Sequence, residues 1–467
     1  MSAFLGQPIR LSDSNRILTR DECEVLVKRI HEMTVGGGET DVDIASSWSG
    51  ELRWARNRVS LAGDRREITV QIWRRIRAAQ GAVSTNQVDD ASLLAAVRSA
   101  ERAALFGIAG TSEFVKLRAP LEQTTPKIWS DSTFAETAPE RGIVARAIID
   151  VSEAKDMLSA GYLQVDAQTT GRFHAKRPTR YAERTGAQCS MTVRDQLGTG
   201  SGWAGGSSYD IRVIDTQALT TRALDKAIAS RNPVSLEPGR YTVILEPQAV
   251  DDLIRPLIER LSRTDPEQFG AGPFVAGFDN ALKLWRSKLG LKVIDERITI
   301  SHDPMDPLLG VIPFSEMGDP YRSAKWIDRG VLAQLPDYRD YALQTRNDDF
   351  GFPNSMSFRM SGGTTTTDEM IATTKRGLLV TRLSGVNVLD SQSMLMTGLT
   401  RDGLWLVENG KISKAVKNFR FTESPLFVLN SLDQLGEPVP VYSPDLPAIV
   451  PPLKARDFSF TSLVDAV

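Results

Sequence analysis

The side chains best suited to hold a catalytic metal are scarce in this sequence. Protein zinc sites use mainly imidazole nitrogens and thiolates, with carboxylates as further ligands. His31 and Glu32 form only the start of a His-Glu-x-x-His motif, because Val35 and Gly36 stand where a second histidine would follow. No pair of histidines or cysteines has ligand spacing. A site would therefore need the fold to bring together residues from this set: His31, His174, His302, Cys23 and Cys189.

Two acidic residues in one short turn are a second candidate. The segment His302-Asp303-Pro304-Met305-Asp306-Pro307 could hold a cation through its carboxylates. Asp-Pro pairs also form simple turns that bind nothing. The sequence leaves both interpretations open.

Signals for nucleophilic catalysis or phosphate binding are weak. No Gly-x-Ser-x-Gly elbow occurs, and Cys189 and His174 would pair only through a chance contact in the fold. The segment GTGSGWAGGSS at 198–208 lacks the Gly-Lys-Ser/Thr ending of a phosphate-binding loop. It is predicted to be a flexible loop.

Arginines are concentrated between residues 53 and 77. Such a basic and aromatic cluster could contact phosphates and stack on bases, although strand faces often carry alternate arginines for solvation. Both interpretations stay open. The cluster contains eight arginines and two tryptophans: Arg53, Arg56, Arg58, Arg65, Arg66, Arg74, Arg75, Arg77, Trp54 and Trp73.

Composition bounds the class of protein. Hydrophobic residues are 41% and charged residues 24% of 467, which predicts an ordinary globular chain of two domains. The net charge of -2 gives no overall attraction to nucleic acid or anionic lipid. With two distant cysteines, no long apolar run and no leader-like start, we expect a cytoplasmic protein without a membrane segment.

The elements that would position these residues follow from periodicity. Apolar spacing predicts helices at 20–33, from Asp90, at 140–160 and at 216–231, and strand meanders at 41–84 and 161–214. YTVILE at 241–246 is predicted as a buried strand that leads into a helix with Pro247 in its first position. Beyond about 290 short β-prone pieces predominate, and the Pro-rich last thirty residues are expected to be extended and to pack on a neighbouring surface.

Three late segments together resemble the TldD/PmbA metallopeptidase family. They are GRYTVILEPQAV at 239–250, GLKVIDERITISHDP at 290–304 and TGLTRDGLWLVENGKISKAVKNFRF at 397–421. The resemblance extends back through the strand meander and the helix near 90–106, and forward to about residue 430. Its specificity lies in the combination of segments, because none of them would suffice alone.

Catalytic members of that family carry a His-Glu-x-x-x-His motif at the start of a helix and a later cysteine, which bind zinc, and the glutamate acts as general base. Here the motif positions fall on Pro247, Gln248 and Asp252, and the cysteine position is expected near 398–403, where no cysteine occurs. The resemblance therefore implies a TldE-like, non-catalytic member that binds no metal itself.

The resemblance further implies an α+β protein with two domains. We expect an N-terminal mixed α/β domain at 1–235, with a strand meander and helices, and a β-rich, barrel-like C-terminal domain at 236–467. The expected partner is a TldD-like subunit that carries the zinc, or a second copy of the chain, and the two subunits would process peptides. Nucleic acid and membrane are not expected as partners. Candidate residues for the substrate cavity are Asp303, Glu316 and Thr400.

Two other functions remain as alternatives. One is a stand-alone hydrolase with an unrecognised site, and the other is a DNA- or gyrase-associated regulator that uses the arginines between 53 and 77.

Overall fold

The structure, a computed structural model, describes residues 16–77, 79–106, 126–261, 264–315, 318, 320–336 and 356–464. This part of the chain contains one 3-10 helix, Ile211–Val213, and nine α-helices: α1 Arg20–Met33, α2 Asp90–Phe106, α3 Asp131–Ala135, α4 Ala138–Glu153, α5 Thr216–Ala229, α6 Pro247–Ile258, α7 Thr264–Gln268, α8 Thr367–Ala372 and α9 Pro425–Asn430.

Strands make up most of the remaining regular structure. In the N-terminal half they are β1 Glu39–Ala55, β2 Arg58–Ile76, β3 Ala79–Thr85, β4 Met157–Phe173, β5 Arg180–Asp195 and β6 Ser201–Ser208. The C-terminal half contains β7 Gly239–Leu245, β8 Val275–Asp279, β9 Leu284–Ser287, β10 Ile300–His302, β11 Ala324–Asp328, β12 Val331–Leu332, β13 Phe358–Met360, β14 Arg376–Asp390, β15 Leu395–Glu408, β16 Lys411–Ala415, β17 Phe419–Glu423, β18 Leu432–Leu435, β19 Val439–Pro440, β20 Ala448–Val450 and β21 Leu453–Leu463.

The N-terminal half contains one sheet that helices cover on one face. Its six strands run in the order β3-β2-β1-β4-β5-β6, and all neighbours are antiparallel. Along β1, buried residues alternate with partly exposed ones, as expected when one face packs and the other is solvated. Helices α1 and α2 cover one part of the packed face, with Leu26, Ile30 and Leu93 against Val42. Helices α4 and α5 cover the other part.

The predicted loop at 198–208 is wrong, because residues 201–208 form the edge strand β6. Gly200 and Gly202 of this segment are needed for packing against α5 rather than for flexibility. A Cβ at Gly202 would lie 2.1 Å from the carbonyl oxygen of Ala223, and one at Gly200 would lie 2.3 Å from that of Ala227. Helix α5 therefore packs backbone against backbone on this strand, which only glycine permits.

The C-terminal half contains a closed barrel of five strands. The strands pair in the cycle β14-β7-β21-β17-β15 and back to β14, and only the β14–β7 pair is parallel. Apolar side chains fill the barrel and include Phe419, Phe421 and Phe460, and the apolar face of α6 joins the same core. A second sheet has the order β12-β11-β10-β13-β20-β19, and β8 and β9 form a separate hairpin.

Two further predictions need correction at the ends of elements. The helix predicted at 140–160 ends at Glu153, and Leu158 already lies in β4, because the chain turns at Asp156 with φ 53. The last residues are extended as predicted, but only part of them packs on a neighbouring surface, since residues 441–443 contact the N-terminal sheet. Residues 453–463 form β21, which pairs with both β7 and β17 inside the barrel.

The fold class agrees with the prediction of an α+β protein with an N-terminal mixed domain and a β-rich, barrel-like C-terminal part. The boundary between 235 and 236 stays a prediction. Within the described ranges, no helix is long and apolar enough to cross a membrane.

Candidate functional site

The positions that correspond to the catalytic motif lie at the start of α6. Val243 to Leu245 are fully buried in β7, and the chain passes from them directly into the helix, with Pro247 in its first turn. Glu246 precedes the helix and forms an ion pair with Lys226 of α5. The Lys226 Nζ also donates to Thr381 Oγ1 at 3.2 Å. Helix α6 therefore begins at a contact between the N-terminal helices and the barrel.

Gln248 and Asp252 lie one helical turn apart and bind each other. Gln248 Nε2 donates to Asp252 Oδ1 at 3.1 Å, and Gln248 Oε1 accepts the backbone N–H of Tyr442 at 3.1 Å. Asp252 Oδ2 accepts the backbone N–H of Leu383 in β14 at 2.8 Å. Both side chains are thus used to hold backbone segments from elsewhere in the fold.

The Asp252 carboxyl has an unusual acidity. Desolvation by the surrounding protein raises its pKa to about 7, and the hydrogen bonds from Gln248 and Leu383 oppose that rise only in part. The nearby charges are Asp251, which raises the pKa further, and Arg382, which lowers it. A carboxyl of this kind could exchange a proton near neutral pH, but a single carboxyl does not make a hydrolytic site.

The carboxylate of the neighbouring residue, Asp251, forms an ion pair. Arg255 Nη2 donates to Asp251 Oδ1 at 2.6 Å within α6, and the same guanidinium donates to Ser443 Oγ at 3.2 Å. Burial raises the pKa of Asp251, and Arg255 opposes that rise. Asp251 therefore helps to anchor a loop instead of facing an open cavity.

The three residues predicted for the substrate cavity are not brought together. Asp303 is exposed in a turn, where its Oδ1 accepts Met305 N–H and the Ser323 hydroxyl at 3.0 and 2.9 Å. Thr400 is 1% exposed, and its Oγ1 accepts Phe419 N–H at 2.9 Å. Glu316 lies outside the described residues. Their assignment to a cavity stays a prediction, and the geometry of Thr400 gives it a structural task in the barrel.

The histidines also lie in separate places. His31 is exposed on α1, whereas His174 contacts Asp43 at 2.9 Å and His302 stacks on Trp326 with ring centroids 5.9 Å apart. Burial lowers the pKa of His302, which favours its neutral form. Among the described residues, no group of three histidine, cysteine, aspartate or glutamate side chains is arranged to hold a metal ion. In the turn at 302–307, Asp306 binds Arg359.

The arginine cluster between 53 and 77 is split by the fold. Arg74 is 1% exposed and Trp54 is 2% exposed, so neither can contact a nucleic acid. Arg75 forms ion pairs with Glu39 and Asp41. Trp73 is partly buried, and its Nε1 donates to Asp43 at 3.1 Å. The remaining arginines are exposed: Arg53, Arg56, Arg58, Arg65, Arg66 and Arg77.

The structure also shows contacts that the sequence did not reveal. Ser201 Oγ donates to Asp402 Oδ1 at 2.6 Å, and Tyr442 OH donates to Gln188 Oε1 at 2.7 Å. Each bond joins the N-terminal sheet to the C-terminal half. The partners are more than two hundred residues apart, so spacing and periodicity hold no signal for them.

Comparisons with known proteins agree with this architecture. Residues 238–462 match the family model described as the PmbA/TldA metallopeptidase C-terminal domain. A search of curated protein sequences finds no match.

Solved structures resemble the whole fold. One is TldE from Thermococcus kodakarensis, with TM-score 0.78 and 17% identity over 94% of this chain and 100% of that one. A proposed modulator of a DNA gyrase from Thermotoga maritima gives TM-score 0.80 and 16% identity, with coverage of 94% and 100%. A similarly described protein from Bacteroides thetaiotaomicron gives 0.78 and 17%, with coverage of 97% and 100%. At these identities the likeness concerns the fold.

Proposed function

Because the chain belongs to the TldD/PmbA family, we propose that it is a TldE-like subunit of a zinc peptidase, one that shapes the peptide cavity and leaves the metal to its partner. The observation that carries this proposal is the chemistry at the start of α6. Pro247 has no donor atom, and Gln248 and Asp252 bind the backbone N–H groups of Tyr442 and Leu383. The positions that a catalytic motif would use for zinc have structural partners here.

The residues at these positions do not fit a zinc ion. Zinc needs three or four ligands in near-tetrahedral geometry, and its imidazole ligands are usually oriented by further hydrogen bonds. Asp252 is the one carboxylate at the motif positions, and both of its oxygens already accept N–H groups. We therefore derive no catalytic step for this chain through a metal.

The open face of the N-terminal sheet is suited to form the wall of a cavity along which an extended peptide binds. Its partly exposed side chains include small and amide residues such as Ser47, Ser49 and Gln168, with the charged residues Glu51, Asp166 and Arg184 among them. Amide side chains can both donate to and accept from a peptide backbone, so they bind main chain with little preference for sequence. Such a wall would position a substrate that the partner cleaves.

The proposed partner is a TldD-like subunit that bears the His-Glu-x-x-x-His motif. A stable interface of this kind buries roughly 800 Å² on each partner. When zinc is bound by that subunit, it lowers the pKa of a coordinated water, which supplies the nucleophile. A second copy of this chain is the alternative partner.

The test is a reconstitution in which the partner is the paralogue from the same genome that carries His-Glu-x-x-x-His. Unstructured synthetic peptides are incubated with this chain, with the paralogue, or with both, each with and without a zinc chelator. Cleavage is followed by mass spectrometry. We expect cleavage above the background of either protein alone only in the mixture, and its loss when the chelator is present.

Two outcomes would contradict the proposal. Chelator-insensitive cleavage by this chain alone would favour a stand-alone hydrolase. Equal cleavage by the paralogue with and without this chain, at micromolar concentrations of both, would remove the subunit role.

A further inference from the structure

A three-residue segment between β19 and β20 joins the two halves of the molecule. We name residues 441–443 the strap. Tyr442 OH donates to Gln188 Oε1 of β5 at 2.7 Å, and its ring meets that of Trp203 edge-on, with centroids 5.8 Å apart. Ser207 of β6 exchanges hydrogen bonds of 3.4 Å with the backbone on both sides of Tyr442. The strap is thus bound to two strands of the N-terminal sheet.

The same strap is held from the other side by α6. Gln248 Oε1 accepts Tyr442 N–H at 3.1 Å, and Arg255 donates to Ser443 Oγ at 3.2 Å. Gln248 is itself held by Asp252, which accepts Leu383 N–H from β14 of the barrel. A continuous series of hydrogen bonds therefore runs from the barrel through α6 and the strap to the sheet.

We propose that Gln248 and Asp252 act as a latch that fixes the strap, and with it the position of the N-terminal sheet relative to the barrel. This role concerns the isolated chain and does not depend on the proposed peptidase partner. It gives these two positions a positioning function in place of the one they have in a catalytic motif.

The chemistry of the two side chains explains why a catalytic motif would not serve as the latch. Glutamine can accept from Tyr442 N–H and donate to Asp252 at the same time. A glutamate at position 248 could accept but would set a second carboxylate against Asp252. A neutral histidine at position 252 has a single acceptor nitrogen, so it could not accept from both Gln248 and Leu383. The latch and the motif therefore exclude each other.

The experiment is hydrogen exchange on the full chain without partner or peptide, followed by mass spectrometry. Gln248→Met removes both amide bonds and keeps the side-chain length. We expect exchange in peptides covering 439–446 to rise about fivefold, since the one lost hydrogen bond to the strap is worth about 1 kcal/mol and 1.4 kcal/mol is a factor of ten. Exchange in peptides covering 185–190 should rise too, because Gln188 loses its ordered partner.

Matched variants make the result specific. Gln434→Met is the control, because Gln434 is also a partly buried glutamine with one side-chain hydrogen bond, to Thr373. It should leave exchange at 439–446 unchanged. Tyr442→Phe removes only the hydroxyl, with its bonds to Gln188 and Ser190 of β5, and should loosen 185–190. In the double variant with Gln248→Met and Tyr442→Phe, exchange at 185–190 should rise by less than the sum of the two single effects.

The latch is wrong if Gln248→Met leaves 439–446 at the wild-type rate, or if it loosens 439–446 without any effect at 185–190. The first result would mean that Gln248 does not hold the strap, and the second that the strap does not hold the sheet. If Gln248→Met does not fold, Gln248→Ala, which also removes both amide bonds, and Tyr442→Phe provide the same comparison. Independent loosening by each of them, with additive effects, would also overturn the latch.

Discussion

The N-terminal sheet and the C-terminal barrel bury their strands in different ways. In β1, alternate residues are packed under helices, and the others face an open polar surface. In β7, consecutive residues are buried, because Val243 and Leu245 point into the barrel while Ile244 packs outside it with Met370 of α8. A sheet covered on one side carries its pattern in the sequence, whereas a strand covered on both sides is simply apolar.

The difference also indicates which region contributes most to the stability of the molecule. The barrel core draws on strands β7, β14, β15, β17 and β21 and on helix α6 at once. The packed face of the sheet is divided among several smaller clusters under separate helices. We therefore expect substitutions in the barrel to cost most, and substitutions on the open face of the sheet to cost little.

The largest effect is expected from Phe419→Ala in the barrel. Phe419 is fully buried and packs against Phe460 with ring centroids 5.1 Å apart. Losing a buried phenyl ring typically lowers the free energy of unfolding by about 3–5 kcal/mol. Chemical denaturation measures it, with Thr69→Ala on the exposed face of β2 as control. Similar losses in the free energy of unfolding for the two variants would contradict the difference between barrel and sheet.

A second prediction tests the close contact of β6 with α5. Gly202→Ala puts a Cβ 2.1 Å from the Ala223 carbonyl oxygen, so strand and helix must separate, at a cost of about 2–3 kcal/mol. Gly206→Ala lies in the same strand, but its nearest neighbour is 3.6 Å away, and we expect it to be close to neutral. Thermal unfolding of both variants measures the difference. Equal melting temperatures would show that α5 moves to accommodate the added methyl group without loss of stability.

The smallest effect concerns pH at the junction of the two regions. The pKa of Asp252 is about 7 in the fold, above the roughly 3.9 of an unfolded chain. Between these values the folded state binds the proton more tightly, so the free energy of unfolding falls as pH rises from about 4 to about 7 and then levels off. The full difference in pKa would correspond to about 4 kcal/mol. Because the Asp252 side chain is partly exposed, solvent screens the charge, and we expect a contribution of about 1–2 kcal/mol.

Asp252→Asn should reduce that slope, because an amide does not ionise. Urea denaturation at several pH values compares it with Asp303→Asn, whose carboxyl is exposed in a turn. A wild-type slope retained in Asp252→Asn would show that other groups cause the pH dependence.

Much of the fold could be predicted from the sequence, because local rules act over a few residues. The helix predicted at 20–33 from its apolar spacing and the glycines that follow it has the predicted bounds. The structure adds a capping box of Thr19 and Glu22 at its start. The glycine-rich strand β6 could not be predicted. Its glycines are explained by the backbone of α5, which lies against the strand in a contact that the sequence does not display. The last strand, β21, was likewise predicted only as extended chain, since its neighbours β7 and β17 are distant in sequence.

By itself the sequence determined the identity of the side chains at the motif positions, and with it the absence of imidazole at Pro247 and Asp252. Only the tertiary structure decided what Gln248 and Asp252 do instead. Their partners, the backbone N–H groups of Tyr442 and Leu383, carry no side-chain signature and lie more than one hundred residues away. Residue types limit which chemistry is available, but backbone groups become partners only when the chain has closed around them.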